Sequence, residues 1–208
     1  GPEAFTEVRY LAHLRQLDAL ELIPTLASQF ASSFGRESGG LLHCYRTLDA
    51  TTIVVAMGSV LGTIKDAVDQ RRLLGDRVGV VGVTTFRPFP FDELRRALSN
   101  VQQVVVIEKA FSVGYGGVLS ADVATATHES AVTVHSVIAG LGGRAITQHS
   151  IEELLDTTAH NLLCPVTFLD LDLEIVELER ARIGTQRLSG PSAENVLSDL
   201  GAVASRIG

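Results

Sequence analysis

Between Thr51 and Gly143 four short runs of almost continuously apolar, largely β-branched residues alternate with segments of helical periodicity, and few folds satisfy that alternation. The runs are Thr52–Met57, Val78–Thr85, Gln103–Glu108 and Val132–Ile138. A half-exposed strand alternates polar with apolar residues; runs that stay apolar at successive positions suit strands covered on both faces. Between them, Val60–Leu74, Phe91–Leu98 and Gly117–Ala126 repeat at helical spacing. A further helix is expected over Ser150–His160, with Ser150 as its cap and Glu152 and Glu153 opposing the positive end of its dipole. The pattern predicts an α/β domain, a doubly wound sheet with helices on both faces.

The flanks read differently. From Glu3 to Phe34, Phe5, Val8, Leu11, Leu14, Leu17, Leu20 and Leu22 recur at helical spacing. Pro24 lacks a backbone donor and disfavours helical geometry at Ile23, so two helices or one kinked helix are expected, with the break near that point. Gly35 and the pair Gly39-Gly40 end the helical region. Beyond Pro165 come a short apolar piece, Val166–Leu169, an acidic stretch, Asp170–Glu179, and an amphipathic helix near Ala193–Ile207. Leu171, Leu173, Ile175 and Leu178 sit among carboxylates, which fits a helix packed along a neighbour or a solvated linker. Three regions follow: an N-terminal helical linker region (1–50), the α/β domain (51–163) and an acidic C-terminal extension (164–208).

Charge and composition narrow the function classes. From Ile151 to the end there are ten acids and four bases, a net −6 against −7 for the whole chain, so the body is nearly neutral. No basic stripe interleaved with aromatics appears, which leaves nucleic-acid binding without support. Mean hydropathy is positive, +0.26, but no apolar run approaches the roughly 18–20 residues that span a bilayer. The first residues carry no export signature, so a cytoplasmic location is expected. The two cysteines, Cys44 and Cys164, are far apart and expected to be buried or inert, and the six histidines show no ligand spacing; no metal site is expected.

Three glycine-bearing loops fall at strand ends, where open α/β sheets place ligands. In Met57-Gly58-Ser59, Ser59 is positioned to cap the first core helix, whose free amides would face an anion. Gly114-Tyr115-Gly116-Gly117 lacks the spacing and the acidic ribose reader of a dinucleotide loop. Gly140–Arg144 turns the chain sharply and carries a guanidinium suited to a phosphate or carboxylate. Arg87, Glu108 and Lys109 also stand at strand ends. A carboxylate beside two bases has the makings of acid–base chemistry, but rim charges of this kind are more often ion pairs or subunit contacts. Ser59, Arg87, Glu108, Lys109 and Arg144 are therefore read as interface or strand-end residues, with no catalytic, cofactor-binding or metal-binding residue assigned. Ser59 lacks the setting of a hydrolase nucleophile.

Five motifs in order carry a resemblance to a known family: Phe34-Gly35-Arg36; Ile53-Val54-Val55-Ala56-Met57-Gly58-Ser59 with Gly62-Thr63; Phe86-Arg87-Pro88-Phe89-Pro90; Ser112–Gly117; and Gly140–Arg144. Over roughly residues 1–150 the chain resembles the α subunit of pyruvate and related 2-oxoacid:ferredoxin oxidoreductases, in its transketolase C-terminal-like domain (domain II). The resemblance implies a three-layer α/β/α domain with a mixed, mostly parallel sheet of about five strands, plus N- and C-terminal helical extensions. In the Phe86–Pro90 segment the prolines stiffen the strand exit and Phe89 offers an apolar plug. Val118 stands where many relatives have proline, and Glu108-Lys109 where an Asp-Arg pair is frequent; these departures leave the 2-oxoacid open.

By this resemblance the complete enzyme decarboxylates a 2-oxoacid on thiamine diphosphate with Mg, passes electrons through [4Fe–4S] clusters to ferredoxin, and forms an acyl-coenzyme A. The chain itself is expected to bind none of these cofactors and to be inactive alone. Its expected partners are the thiamine-binding and iron–sulfur domains or subunits of the same oxidoreductase, and ferredoxin through the complex; neither nucleic acid nor membrane is implied. Two other readings compete: the C-terminal domain of a transketolase or 1-deoxyxylulose-phosphate-synthase-like enzyme, disfavoured by the Phe86–Pro90 and Gly140–Arg144 segments, and a small-anion-binding regulatory module.

Overall fold

The computed structural model describes residues 1–185, 195–197 and 199–201. The chain divides into two compact units, Gly1–Leu169 and Asp170–Gly208. The first unit contains one six-stranded sheet in the order β1-β3-β2-β4-β5-β6. Four strands fall where the apolar runs predict: β2 (Thr52–Ala56), β3 (Val78–Val83), β4 (Gln103–Glu108) and β5 (Thr133–Ile138). They are mutually parallel, with Val54 opposite Val80 on one side and Val105 on the other.

Helices connect them, as parallel pairing requires. They are α2 (Val60–Leu73), α3 (Phe91–Ala97), α4 (Val118–Thr127) and α5 (Gln148–Ala159). Strand alternation sends successive residues to opposite faces, and the two faces have separate cores. Ile53, Val55, Val81, Val104 and Val106 pack against Leu94 and Leu98 of the α3 segment and Leu119 and Val123 of α4. Val54, Ala56, Val80, Val105 and Ile107 pack against Ile64 and Val68 of α2 and Ile151, Leu154 and Leu155 of α5. The result is the expected three-layer α/β/α fold. Phe89 is the plug its motif implies, buried between Phe86 and Phe91 at ring distances of 6.3 and 4.8 Å. The Arg87–Pro88 peptide bond is cis.

Both sheet edges come from segments read as flanks. Within the expected helical linker, Leu42–Tyr45 forms β1, antiparallel to β3. Within the expected C-terminal extension, Val166–Phe168 forms β6, parallel to β5. Each strand has only three or four residues, one face half-covered, and so lacks the continuous apolar run that marks the central strands. The expected break at Pro24 is also absent: α1 runs unbroken from Pro2 to Phe34 and stops at Gly35, whose left-handed backbone (φ 65°) lets its amide donate to the Ala31 carbonyl at 2.8 Å. A proline deletes a single donor; next to it the Thr25 hydroxyl donates to the Glu21 carbonyl at 3.2 Å. At α5 the cap is Thr147, not Ser150: the Thr147 side chain accepts from the Ser150 amide at 3.0 Å, placing Ser150 inside the first turn.

In the second unit the acidic stretch becomes α6 (Leu173–Thr185), started by Asp172, whose carboxylate accepts from the Ile175 amide at 3.1 Å. Arg182 pairs with Asp199 at 2.6 Å, an arrangement that lowers the Asp199 carboxyl pKa through its hydrogen bond to Arg182. The helix expected near Ala193–Ile207 lies partly outside the described residues; 195–197 and 199–201 are helical. No helix among the described residues is long and apolar enough to cross a membrane.

Burial separates a leucine in the middle of α3 from one at the end of α2. Leu94 is fully buried under the sheet, whereas Leu74 is 75% exposed. Leu94→Ala should cost about 2–5 kcal/mol of unfolding free energy and Leu74→Ala no more than about 0.5 kcal/mol. Urea denaturation of both variants measures this, and equal losses would contradict the packing described for α3.

Candidate functional site

The carboxyl ends of β2 and β4 lie side by side, and the chain leaves them in opposite directions. From β2, Met57-Gly58-Ser59 turns into α2 toward β3; Gly58 takes φ 77°, a value glycine adopts without strain. From β4, Glu108-Lys109-Ala110 leads over a bridged turn, Ser112 to Gly116, into α4 toward β5. A cleft of about 680 Å³ opens between them, closed on its third side by the segment Gly143–Ile146 after β5. Met57, Phe86 and Ile146 give it apolar walls, and Ser59, Thr63, Lys109 and Arg144 line it as well.

Four of the five strand-end candidates, Ser59, Glu108, Lys109 and Arg144, therefore border one cleft. Arg87 does not. Its guanidinium stacks on the Phe86 ring at 4.0 Å and pairs with Asp122 of α4 at 2.9 Å, which ties the strand exit to the helix layer.

Glu108 is the most constrained of the set. Its buried carboxylate accepts three backbone hydrogen bonds from the first turn of α4: from Val118 (2.9 Å) and Leu119 (2.8 Å) on Oε2, and from Ser120 (2.8 Å) on Oε1. These amides have no partner within the helix, and the residue before them, Gly117, has no side chain to offer. A carboxylate ten residues upstream therefore caps the helix and balances its dipole. The carboxylate sits where a side chain at Gly117 would stand: a Cβ there would lie 2.0 Å from Oε1. With both oxygens engaged by amides, Glu108 acts as a structural anion rather than the acid–base group its position beside Lys109 invites.

Ser59 departs from its expected role in the opposite sense. A capping side chain needs an extended backbone to reach forward, but Ser59 is right-handed helical (φ −66°, ψ −24°) and makes no cap bond. The start of α2 thus faces the cleft without a side-chain cap. Lys109 is exposed, and its stem lies against Gly140, where a Cβ would come within 2.8 Å of Cε. Thr63, one turn beyond Ser59, belongs to the second motif through Gly62-Thr63 but is not among the five site candidates, whereas Ile146 carries no motif; both line the cleft. Cys44 and Cys164 are exposed rather than buried. Partial shielding of the Cys44 sulfur pushes its thiol pKa up, so thiolate is scarce near neutrality. Among the described residues no group of three His, Cys, Asp or Glu side chains is placed to hold a metal ion.

The chain is similar in sequence to known proteins. The model of a family described as pyruvate:ferredoxin oxidoreductase core domain II matches residues 50–151. Pyruvate synthase subunit PorA of Methanosarcina barkeri is 36% identical over 183 residues, covering 85% of this chain and 46% of that protein. Ketoisovalerate oxidoreductase subunit VorA of Pyrococcus horikoshii is 31% identical over 157 residues, covering 74% of this chain and 40% of that protein. Among solved structures, a split-gene transketolase described as an inactive β4 tetramer aligns with a TM-score of 0.44 at 16% identity, over 62% of this chain and 44% of that one. The chain spans about half the length of the curated relatives it matches, or somewhat less.

The capping role of Glu108 has a measurable signature. Glu108→Ala should destabilise the chain by about 3 kcal/mol, since it strands buried amides, and Gly117→Ala should be comparably harmful because its Cβ collides with the carboxylate. The part of the second penalty due to the carboxylate should disappear when Glu108 is already alanine, while the contact of the new Cβ with Ser120 Oγ at 2.6 Å remains, so a double-mutant cycle followed by urea denaturation should be non-additive. Additive losses would mean that the two residues act separately.

Proposed function

The chain belongs to the pyruvate:ferredoxin oxidoreductase core domain II family, and from that premise we propose that it is an interface domain of a thiamine-diphosphate-dependent 2-oxoacid:ferredoxin oxidoreductase, one that holds catalytic domains in place and does no chemistry itself. The complete enzyme would decarboxylate a 2-oxoacid such as pyruvate to an acyl-coenzyme A and send the electrons through [4Fe–4S] clusters to ferredoxin. A cubane cluster takes four thiolates, and the sequence has two cysteines, so this chain does not by itself supply the ligands of a cluster.

The observation that carries the reading is the surface of α1. Eight residues, Phe5, Val8, Leu11, Leu14, Leu17, Leu20, Ile23 and Leu26, follow one another at intervals of three. A step of three falls about 60° short of a helical turn, so the stripe winds once around the helix between Phe5 and Ile23. Apolar side chains therefore reach each side of the helix in turn, interleaved with charged ones such as Glu7, Arg9, Arg15 and Asp18, so a partner could meet it from more than one direction. None of its residues is buried here, and Phe5, Val8, Leu11, Leu14, Leu17 and Leu26 are all exposed. An apolar surface of this extent marks a contact with other protein, and the partners proposed for it are the thiamine-binding and iron–sulfur parts of the same enzyme. At the strand ends, Glu108 and Arg87 are engaged by α4, which favours a bracing role over a catalytic one.

Val8 and Leu17 lie nine residues apart and so on opposite sides of α1. Val8→Asp and Leu17→Asp should each weaken assembly with the partner subunits about tenfold or more. The thermal unfolding of the chain alone should change little, because both side chains are exposed. Pull-down and sedimentation of the reconstituted complex test this; normal assembly of both variants would remove the basis for an interface role.

A further inference from the structure

The cleft over β2 and β4 is not needed for bracing, and it lies where this sheet topology creates a binding crevice. The connection from β2 runs to β3 through α2 on one face, and the connection from β4 runs to β5 through α4 on the other. Neighbouring strands whose exits diverge leave a hollow that no connection covers, the position at which open α/β sheets receive ligands. At about 680 Å³ the hollow has the size of a small-molecule site.

Its electrostatics are one-sided. Two helices begin at its rim, but the positive end of α4 is already matched by the Glu108 carboxylate. The start of the 14-residue α2 is not: it has no side-chain cap bond, and its leading residues Ser59 and Val60 line the cleft. Lys109 has no ion pair or hydrogen bond among the described residues, its stem being held against Gly140. Arg144, which has an interaction of its own, also lies in the lining. Opposite these stand the apolar surfaces of Met57, Phe86 and Ile146. A bare inorganic ion would leave those apolar surfaces without a partner.

We propose that this cleft binds a small organic anion, a carboxylate or phosphate monoester on an apolar body of about the size of a phenyl ring. The anionic end sits between Lys109 and the start of α2, and the apolar body lies against Met57, Phe86 and Ile146. The site is a ligand site within the bracing domain, and its test does not depend on the assembly of the complex.

Phenyl phosphate, phenylacetate, benzyl alcohol and inorganic phosphate are to be titrated separately into the 208-residue chain, with the amide resonances of Gly58, Ser59 and Val60 followed by nitrogen-15 NMR. At least one of the two aromatic anions should shift these resonances saturably, and the preferred one identifies the head group. Benzyl alcohol and inorganic phosphate should each bind about tenfold more weakly or worse, for want of a charge or of an apolar body. Lys109→Gln, at an exposed position, should weaken binding of the preferred anion about tenfold. Ser59→Asp supplies a residue that suits a helix start, so the variant folds, yet its carboxylate should abolish binding. Unmoved resonances with both aromatic anions, equal binding of inorganic phosphate, or undiminished affinity in Ser59→Asp would each overturn the proposal.

Discussion

Burial of β2 and β4 on both faces is the constraint from which the rest of the first unit follows. Their valines and isoleucines are fully enclosed, so polar chemistry is expelled from the body of the sheet to the strand ends. Parallel neighbours cannot be joined by a tight turn, and each connection must travel back as a helix across one face or the other. With α2 on one face and α4 on the opposite one, the chain diverges above β2 and β4. The cleft is thus a by-product of covering the sheet, and the residues around it are those that the strands could not bury.

What those residues do depends on how each helix start is satisfied. At α4 the cap comes from the preceding strand: Glu108 reaches the amides because Gly117 leaves room, and a charge that looks reactive in sequence is spent on holding a strand to a helix. At α2 the turn through Gly58 brings Ser59 into helical geometry too early for its hydroxyl to reach forward. Two neighbouring helix starts of similar appearance in the sequence, each led by glycine, therefore end in opposite electrostatic states.

The central strands were legible because burial on both faces leaves continuous apolar runs, and helices α2 to α5 because each must cover that sheet. The edge strands were not. Leu42–Tyr45 contains His43 and Cys44, Val166–Phe168 has three residues, and each depends on a neighbour distant in sequence for its pairing. Pro24 misled because a rule about one donor says little of a helix with many turns on either side. At α5 two hydroxyl residues three apart, Thr147 and Ser150, compete for the cap, and sequence does not rank them. At the strand ends, Ser59, Glu108, Lys109 and Arg144, read from sequence as interface or strand-end residues with no ligand assigned, do come together along one cleft. Arg87 is an ion-pair residue as read, but it stands apart from the others because its direction is set by Phe86 and Asp122; Ile146 had no sequence signal and reaches the cleft only through the fold.

The winding stripe on α1 also constrains how this helix can change in evolution. With apolar residues on all sides, one side chain can be exchanged for another of like size with a local effect. An insertion or deletion is different: one added residue turns everything beyond it by about 100° and advances it by about 1.5 Å. Every downstream contact with the proposed partners, on whichever side it lies, would lose its register at once. Enclosure by those partners would accordingly hold the length of α1 more tightly than the identity of any residue in it.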